Sequence, residues 1–260
     1  MLSPFLAAAA LLLLGSARAI PADPLFFPQR VDHFASTEAT FLQRYYLNES
    51  SFGGPGKPII CILGGEGAIE PSTGIFYPSI VLLAQRLGAL IIEPEHRFFG
   101  ASVPEPPYDT ARLQLLTAEQ ALADAAAFIS AMQEKYACSG LRGQPRCPVI
   151  TVGGSYPGWL SAMMRLRYPA LVDMAYSGSS PMRFYSQQTD QYAYYQKVTE
   201  SAEAAVPGCP AAVRSMLAST LVGASKAAMV AKLNLCSPLP AYLEAGDAEL
   251  LLEELSMVVM

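Results

Sequence analysis

The chain has 260 residues, of which 52% are hydrophobic and only 15% charged, and its formal net charge is −5. That size and balance exclude an intrinsically disordered chain and leave room for one large core, or one core and part of a second. No excess of Lys and Arg is present, so a nucleic-acid binder held by a basic patch is excluded as well.

Residues 1–19 read as a secretory signal. Phe5 to Leu14 is an apolar stretch of h-region length, and Ala17-Arg18-Ala19 is a small-x-small cleavage site before Ile20. The stretch is too short to span a bilayer, and no later segment is apolar for long enough, so no membrane span is expected. Asn48-Glu49-Ser50 is an N-glycosylation acceptor triplet, which agrees with export and makes Asn48 the expected glycan site.

Gln43 to Leu47 reads as a strand, followed by a Gly/Pro-rich turn over 48–58. Ile59 to Leu63 is a continuous apolar run, as expected of a strand buried on both faces, and it leads into the loop Gly64-Gly65-Glu66-Gly67. A helix is expected over Val81 to Leu87, a short buried strand over Ala89 to Ile92, and a loop from Pro94 to Pro107. Thr117 and Gln120 have capping-box spacing ahead of a helix carried by Leu122, Ala125, Phe128, Ile129 and Met132, ending near Tyr136. A strand over Val149 to Val152, a helix over Gly158 to Tyr168 and a strand over Leu171 to Tyr176 follow. Short apolar strands alternating with helices indicate a parallel α/β sheet.

After Pro181 the pattern turns helical: Gln187 to Glu203, Ala211 to Leu221, Lys226 to Leu233 and Ala248 to Met260. Residues 20–182 are thus expected to form the α/β part and 183–260 the start of a helical insertion. The chain stops without a cap or polar tail, which reads as a cut within a helix. Of five cysteines, Cys61 lies in an apolar strand as an expected buried thiol. Cys138 with Cys147 and Cys209 with Cys236 is the most local of three connectivities for the rest. No Cys/His spacing suits zinc, and neither a metal nor a cofactor is expected.

The chemistry concentrates at Gly153-Gly154-Ser155-Tyr156-Pro157-Gly158. A serine on a sharp strand-to-helix turn is the arrangement of a nucleophile elbow. Ser155 is therefore the expected nucleophile, and the Tyr156 backbone N–H an oxyanion donor. Pro157 stands where the Gly-x-Ser-x-Gly pattern has its last glycine. Proline is tolerated there because the first helical turn does not use its N–H. A second donor normally comes from a loop after an earlier strand, which places Gly65 and Glu66 in that role. A serine needs a base, yet His33 and His96 both precede Ser155, against the order Ser, Asp or Glu, His. His96 reads as structural, and His33 sits in a stretch expected to pack on the surface of the core. Asp173, Asp190 and Asp247 follow Ser155, but without a downstream histidine none can be assigned as the acid.

Five segments in order resemble the serine carboxypeptidase S28 family: Phe27 to Phe34, Gly64 to Gly67, Glu95 to Gly100, Gln120 to Asp124, and Gly153 to Gly158. The resemblance runs from about residue 25 to the end. It implies an α/β-hydrolase core, incomplete here, with a helical insertion (cap). It also implies a Ser-Asp-His exopeptidase acting near proline at peptide termini, in the secretory pathway, secreted or lysosome-like. Ser155 carries over as nucleophile, and Tyr156 with Gly65 and Glu66 as oxyanion loops, Glu66 also facing substrate. The family's Asp and His fall beyond this sequence, so the 260 residues alone are expected to be inactive. The expected partner is a peptide substrate, with a homodimer left open. The elbow is shared with esterases and lipases, and a truncated, non-catalytic pseudo-peptidase is the other alternative.

Overall fold

The computed structural model describes residues 23–70, 74–104, 113–221 and 225–234. They fall into two compact units divided between Met182 and Arg183. The first unit is built on strands β1 (Leu25–Arg30), β2 (Thr40–Asn48), β3 (Ile59–Ile62), β4 (Leu90–Pro94), β5 (Val149–Gly154) and β6 (Met174–Gly178), in the spatial order β1-β2-β4-β3-β5-β6. Helices α1 (Pro78–Leu87), α2 (Ala118–Lys135) and α3 (Ser155–Arg167) connect them.

β3 and β4 are buried throughout, and apolar apart from Glu93, because both faces of the sheet are covered. Alternation along the strands divides the core in two. Ile59, Cys61, Leu90 and Ile92 join Leu122, Phe128, Ile129, Leu160 and Met164 on one face. Ile60, Ile62 and Ile91 join Ala84 and Ile75 on the other. The first cluster draws on α2 and α3, and the second on α1. α1 opens with Pro78 at its first position and closes on Gly88 in the left-handed conformation, φ +66°.

The sheet is mixed, where a parallel one was expected. β3 pairs with β4 and β5, and β5 with β6, all in parallel, but β1–β2 and β2–β4 are antiparallel. β1 escaped the pattern reading because Pro28, Gln29 and Arg30 interrupt any apolar run; Pro28 is tolerated because β1 is an edge strand. β6 begins later than expected. Leu171 and Val172 turn back on Tyr168 through backbone hydrogen bonds, Val172 is buried, and the strand starts only at Met174. α3 starts at Ser155 rather than Gly158. The capping box of α2 is half formed. Thr117 Oγ1 accepts from the Gln120 N–H at 3.3 Å, but the Gln120 side chain reaches His33 N and Asp32 instead of turning back on Thr117. Cys138 and Cys147 are disulfide-bonded, and Cys61 is a buried thiol whose pKa burial raises.

The architecture is α/β, with the C-terminal ends of the parallel strands β3, β4, β5 and β6 on one rim of the sheet. The second unit is helical in all its described elements: Ala193–Ala205, Cys209–Leu221 and Lys226–Leu233. The last is capped by Ser225, whose Oγ accepts from Ala228 N at 3.3 Å. The expected signal at 1–19, the expected helix at 248–260, Asp247 and Cys236 lie outside the described residues, while Cys209, the expected partner of Cys236, carries a free thiol. Among the described residues no helix is long and apolar enough to cross a membrane.

Candidate active site

Ser155 sits at the junction of β5 and α3 with φ +56°, a left-handed backbone that a non-glycine residue adopts at a cost. Its neighbours explain why the chain turns so sharply there. A Cβ on Gly153 would lie 2.1 Å from the Pro157 carbonyl oxygen, and one on Gly158 2.9 Å from that of Gly178. A Cβ on Gly154 would meet nothing closer than 3.9 Å. The required glycines are therefore Gly153 and Gly158, which lets Pro157 occupy the intervening place. Ser155 itself is exposed, and Tyr156 places its backbone N–H in the first turn of α3, at the positive end of the helix.

The loop after β3 lies against this turn. A Cβ on Gly65 would come within 2.7 Å of Pro157 Cγ, so glycine is needed for the approach. Gly64 is pressed as closely on the loop after β4, where its Cβ would lie 2.7 Å from Pro94 O and 2.8 Å from His96 N. Gly65, Glu66, Gly153, Gly154 and Pro157 line one open cleft of about 580 Å³ with Tyr77, Tyr176 and Ser179. Glu66 is exposed there.

Glu93, at the end of β4, also lines the cleft but is buried. Its Oε2 accepts from Ile75 N at 3.2 Å, and desolvation pushes its pKa up to about 7. No feature of the sequence marks this residue out; it reads as one charge within an apolar strand.

Behind the rim lies a charged network. Arg97, fully buried, donates two hydrogen bonds to Asp124, from Nε to Oδ2 at 2.6 Å and from Nη2 to Oδ1 at 2.7 Å. It donates further to the carbonyls of Val31, Leu115 and Arg30. His33 Nε2 meets Asp124 Oδ1 at 2.7 Å. Glu95 is held by Arg44, Ser102 Oγ and the N–H groups of Ile69 and Ala101.

Both histidines are thereby accounted for. His33 serves Asp124. His96 Nδ1 donates to Arg97 O at 2.8 Å, and its Nε2 lies 2.9 Å from Tyr156 OH. Neither ring hydrogen-bonds Ser155. Asp173 binds Arg146 at 2.7 Å and the Val149 N–H at 2.8 Å, at the far end of β5 from Ser155. Asp190 caps the turn at Tyr192 in the second unit. Asn48 ends β2, its Oδ1 accepting from Ser50 N and Oγ in an Asx turn. No cluster of three metal-ligating side chains exists among the described residues.

The family model of serine carboxypeptidase S28 matches residues 29–260. Mouse thymus-specific serine protease is 41% identical over 175 residues, 66% of this chain and 32% of that protein. Human thymus-specific serine protease is 34% identical over 221 residues, 81% of this chain and 41% of its own. Lysosomal Pro-X carboxypeptidase of Pongo abelii is 32% identical over 228 residues, 83% of this chain and 44% of that one. The chain thus spans less than half the length of these relatives.

Proposed function

The chain belongs to the serine carboxypeptidase S28 family, and from that premise we propose that it supplies the nucleophile and oxyanion side of a serine-type exopeptidase that cuts next to proline at peptide termini. The observation that carries the reading is Ser155 at φ +56° on a turn closed by Gly153 and Gly158. Ser155 Oγ would attack the scissile carbonyl and form an acyl-enzyme. The N–H groups of Tyr156 and the Gly65–Glu66 loop would receive the oxyanion, each such donor contributing about 2.7–4 kcal/mol to the transition state. Glu66, exposed in the cleft, would face the substrate.

The base and acid would come from sequence that the relatives have and these 260 residues do not include. Both histidines here are committed elsewhere. The 260-residue chain alone is then expected to hydrolyse peptides hardly at all, since loss of the base costs orders of magnitude. The names of the lysosomal relatives and the acceptor triplet at Asn48 support passage through the secretory pathway to a secreted or lysosome-like destination, with residues 1–19 as the signal.

The test is fluorophosphonate labelling of the longest natural product that carries this sequence, with Ser155→Ala alongside. Labelling confined to Ser155 is the expected result; equal labelling of both proteins sinks the assignment. Turnover of X-Pro peptide reporters in preference to p-nitrophenyl esters separates the peptidase from an esterase or lipase. Robust turnover by the isolated 260 residues would overturn their inactivity.

A further inference from the structure

We propose that His96 is a positioning residue that sets the two oxyanion-donating loops in register with each other. It touches both. Its backbone N–H abuts Gly64, at the start of the loop after β3, so closely that no side chain fits there. Its ring reaches Tyr156, the residue after the nucleophile, 60 positions further along the chain.

The proton inventory fixes the direction of that second contact. A carbonyl only accepts, so the 2.8 Å contact of Nδ1 with Arg97 O places the ring proton on Nδ1. In the neutral imidazole Nε2 is then an acceptor, and the Tyr156 hydroxyl donates to it at 2.9 Å. Arg97 is itself held by Asp124, so the carbonyl that fixes the tautomer belongs to an anchored residue. The ring is buried and sits edge-on to Phe99 at 5.4 Å, while Tyr156 stacks on Trp159 at 6.4 Å. Burial also lowers the imidazole pKa, against the pull of the Arg97 carbonyl and the Asp124 and Glu66 carboxylates and together with the Arg97 charge.

The consequence is geometric. Oxyanion donors act only when aimed at the place where charge develops. The side chain of Tyr156 is tied to the β4 loop while its N–H serves the substrate, and the β3 loop is wedged against that same β4 loop. Movement of either donor therefore has to break the His96 contact or the Gly64 contact. His96 touches no reacting atom; it acts through Tyr156 and Gly64. This inference rests on the peptidase reading above.

The experiment measures Ser155 phosphonylation and peptide turnover in the longest natural product for Tyr156→Phe, His96→Leu, the double variant and His96→Gln. Tyr156→Phe and His96→Leu should each lower kcat about tenfold with KM little changed, less than the ~10²–10³ lost when a donor is removed outright. The double variant should be no worse than either single one, and His96→Gln, which keeps an acceptor, should recover most of the rate. Additive losses, losses confined to KM, or wild-type rates in both single variants overturn the proposal. If His96→Leu does not fold, Tyr156→Phe reads the same contact. ¹⁵N-histidine NMR of the 260-residue chain, with His33→Gln for assignment, should show the Nδ1–H tautomer of His96 and an Nε2 shift in Tyr156→Phe; no shift also overturns it. Wild type that fails to label at Ser155 overturns the peptidase reading and this inference together. Normal Ser155 labelling in all variants overturns this inference alone.

Discussion

The loop after β4 and the turn between β5 and α3 meet at one rim but are held by opposite means. Glu95, His96 and Arg97 are fixed by buried charges and hydrogen bonds. Gly153 to Gly158 is fixed by backbone packing, with glycines where a methyl group would collide. A charge network fails when one partner is lost and tolerates replacement as a set; a steric junction fails on one added carbon. The sharpest way to break the contrast is Asp124→Ala, which leaves the fully buried Arg97 without its carboxylate. It should destabilise the protein by about 3–5 kcal/mol in denaturant unfolding. Arg97→Met with Asp124→Leu should recover most of that. A single-variant loss under ~1 kcal/mol would mean that the charges do not hold the loop.

Glu93 tests the middle ground: a carboxyl on β4 that is buried like Glu95 but joins no ion pair among the described residues. Its pKa is raised from 4.5 to about 7, so the folded state holds a proton that the unfolded chain has released across that window. The sign follows: its contribution to stability is complete below about pH 4.5 and is lost as pH rises toward 7, by about 3 kcal/mol over the whole interval. Glu93→Gln keeps an acceptor for the Ile75 N–H and removes the titration. Unfolding free energies from pH 4.5 to 7.5 should lose that part of their slope in the variant; an unchanged slope counts against it.

On the steric side, Gly153→Ala should cost about 1–3 kcal/mol through overpacking against the Pro157 carbonyl. Gly154→Ala, with its nearest contact at 3.9 Å, should fold almost as wild type. Equal melting of the two alanine variants would dissolve the contrast.

The steric half was the more legible in the sequence. Glycine around a serine after an apolar strand is local information, and β5, the turn and α3 all follow from it. The charged half was not, because its partners are far apart in the chain: His96 meets Tyr156 and Arg97 meets Asp124 only once the sheet is assembled. Gln120 shows the same limit at short range, since its spacing from Thr117 announced a capping box that the competing demands of Asp32 and His33 took apart. β6 was misplaced because Leu171 and Val172 are apolar for the core beneath the helix, whereas the edge strand proper leaves Met174 and Tyr176 exposed.

The smallest expected effect lies where β5 begins. Arg146 and Asp173 form a partly exposed pair, side chains 37% and 39% accessible, and such pairs contribute only about 0.2–1 kcal/mol. Burial raises the Asp173 pKa, but the Arg146 hydrogen bond and the Val149 N–H outweigh it and hold the carboxyl below its ordinary value. Its contribution therefore has the opposite sign to that of Glu93: present above the unfolded aspartate pKa and lost as pH falls through the lower folded value. Arg146→Met should thus weaken the chain slightly at pH 6, and by less as acid takes the folded Asp173 through its lowered pKa. A loss at pH 6 as large as that of Asp124→Ala would show that an exposed pair can match a buried network, and the contrast drawn from burial would fail.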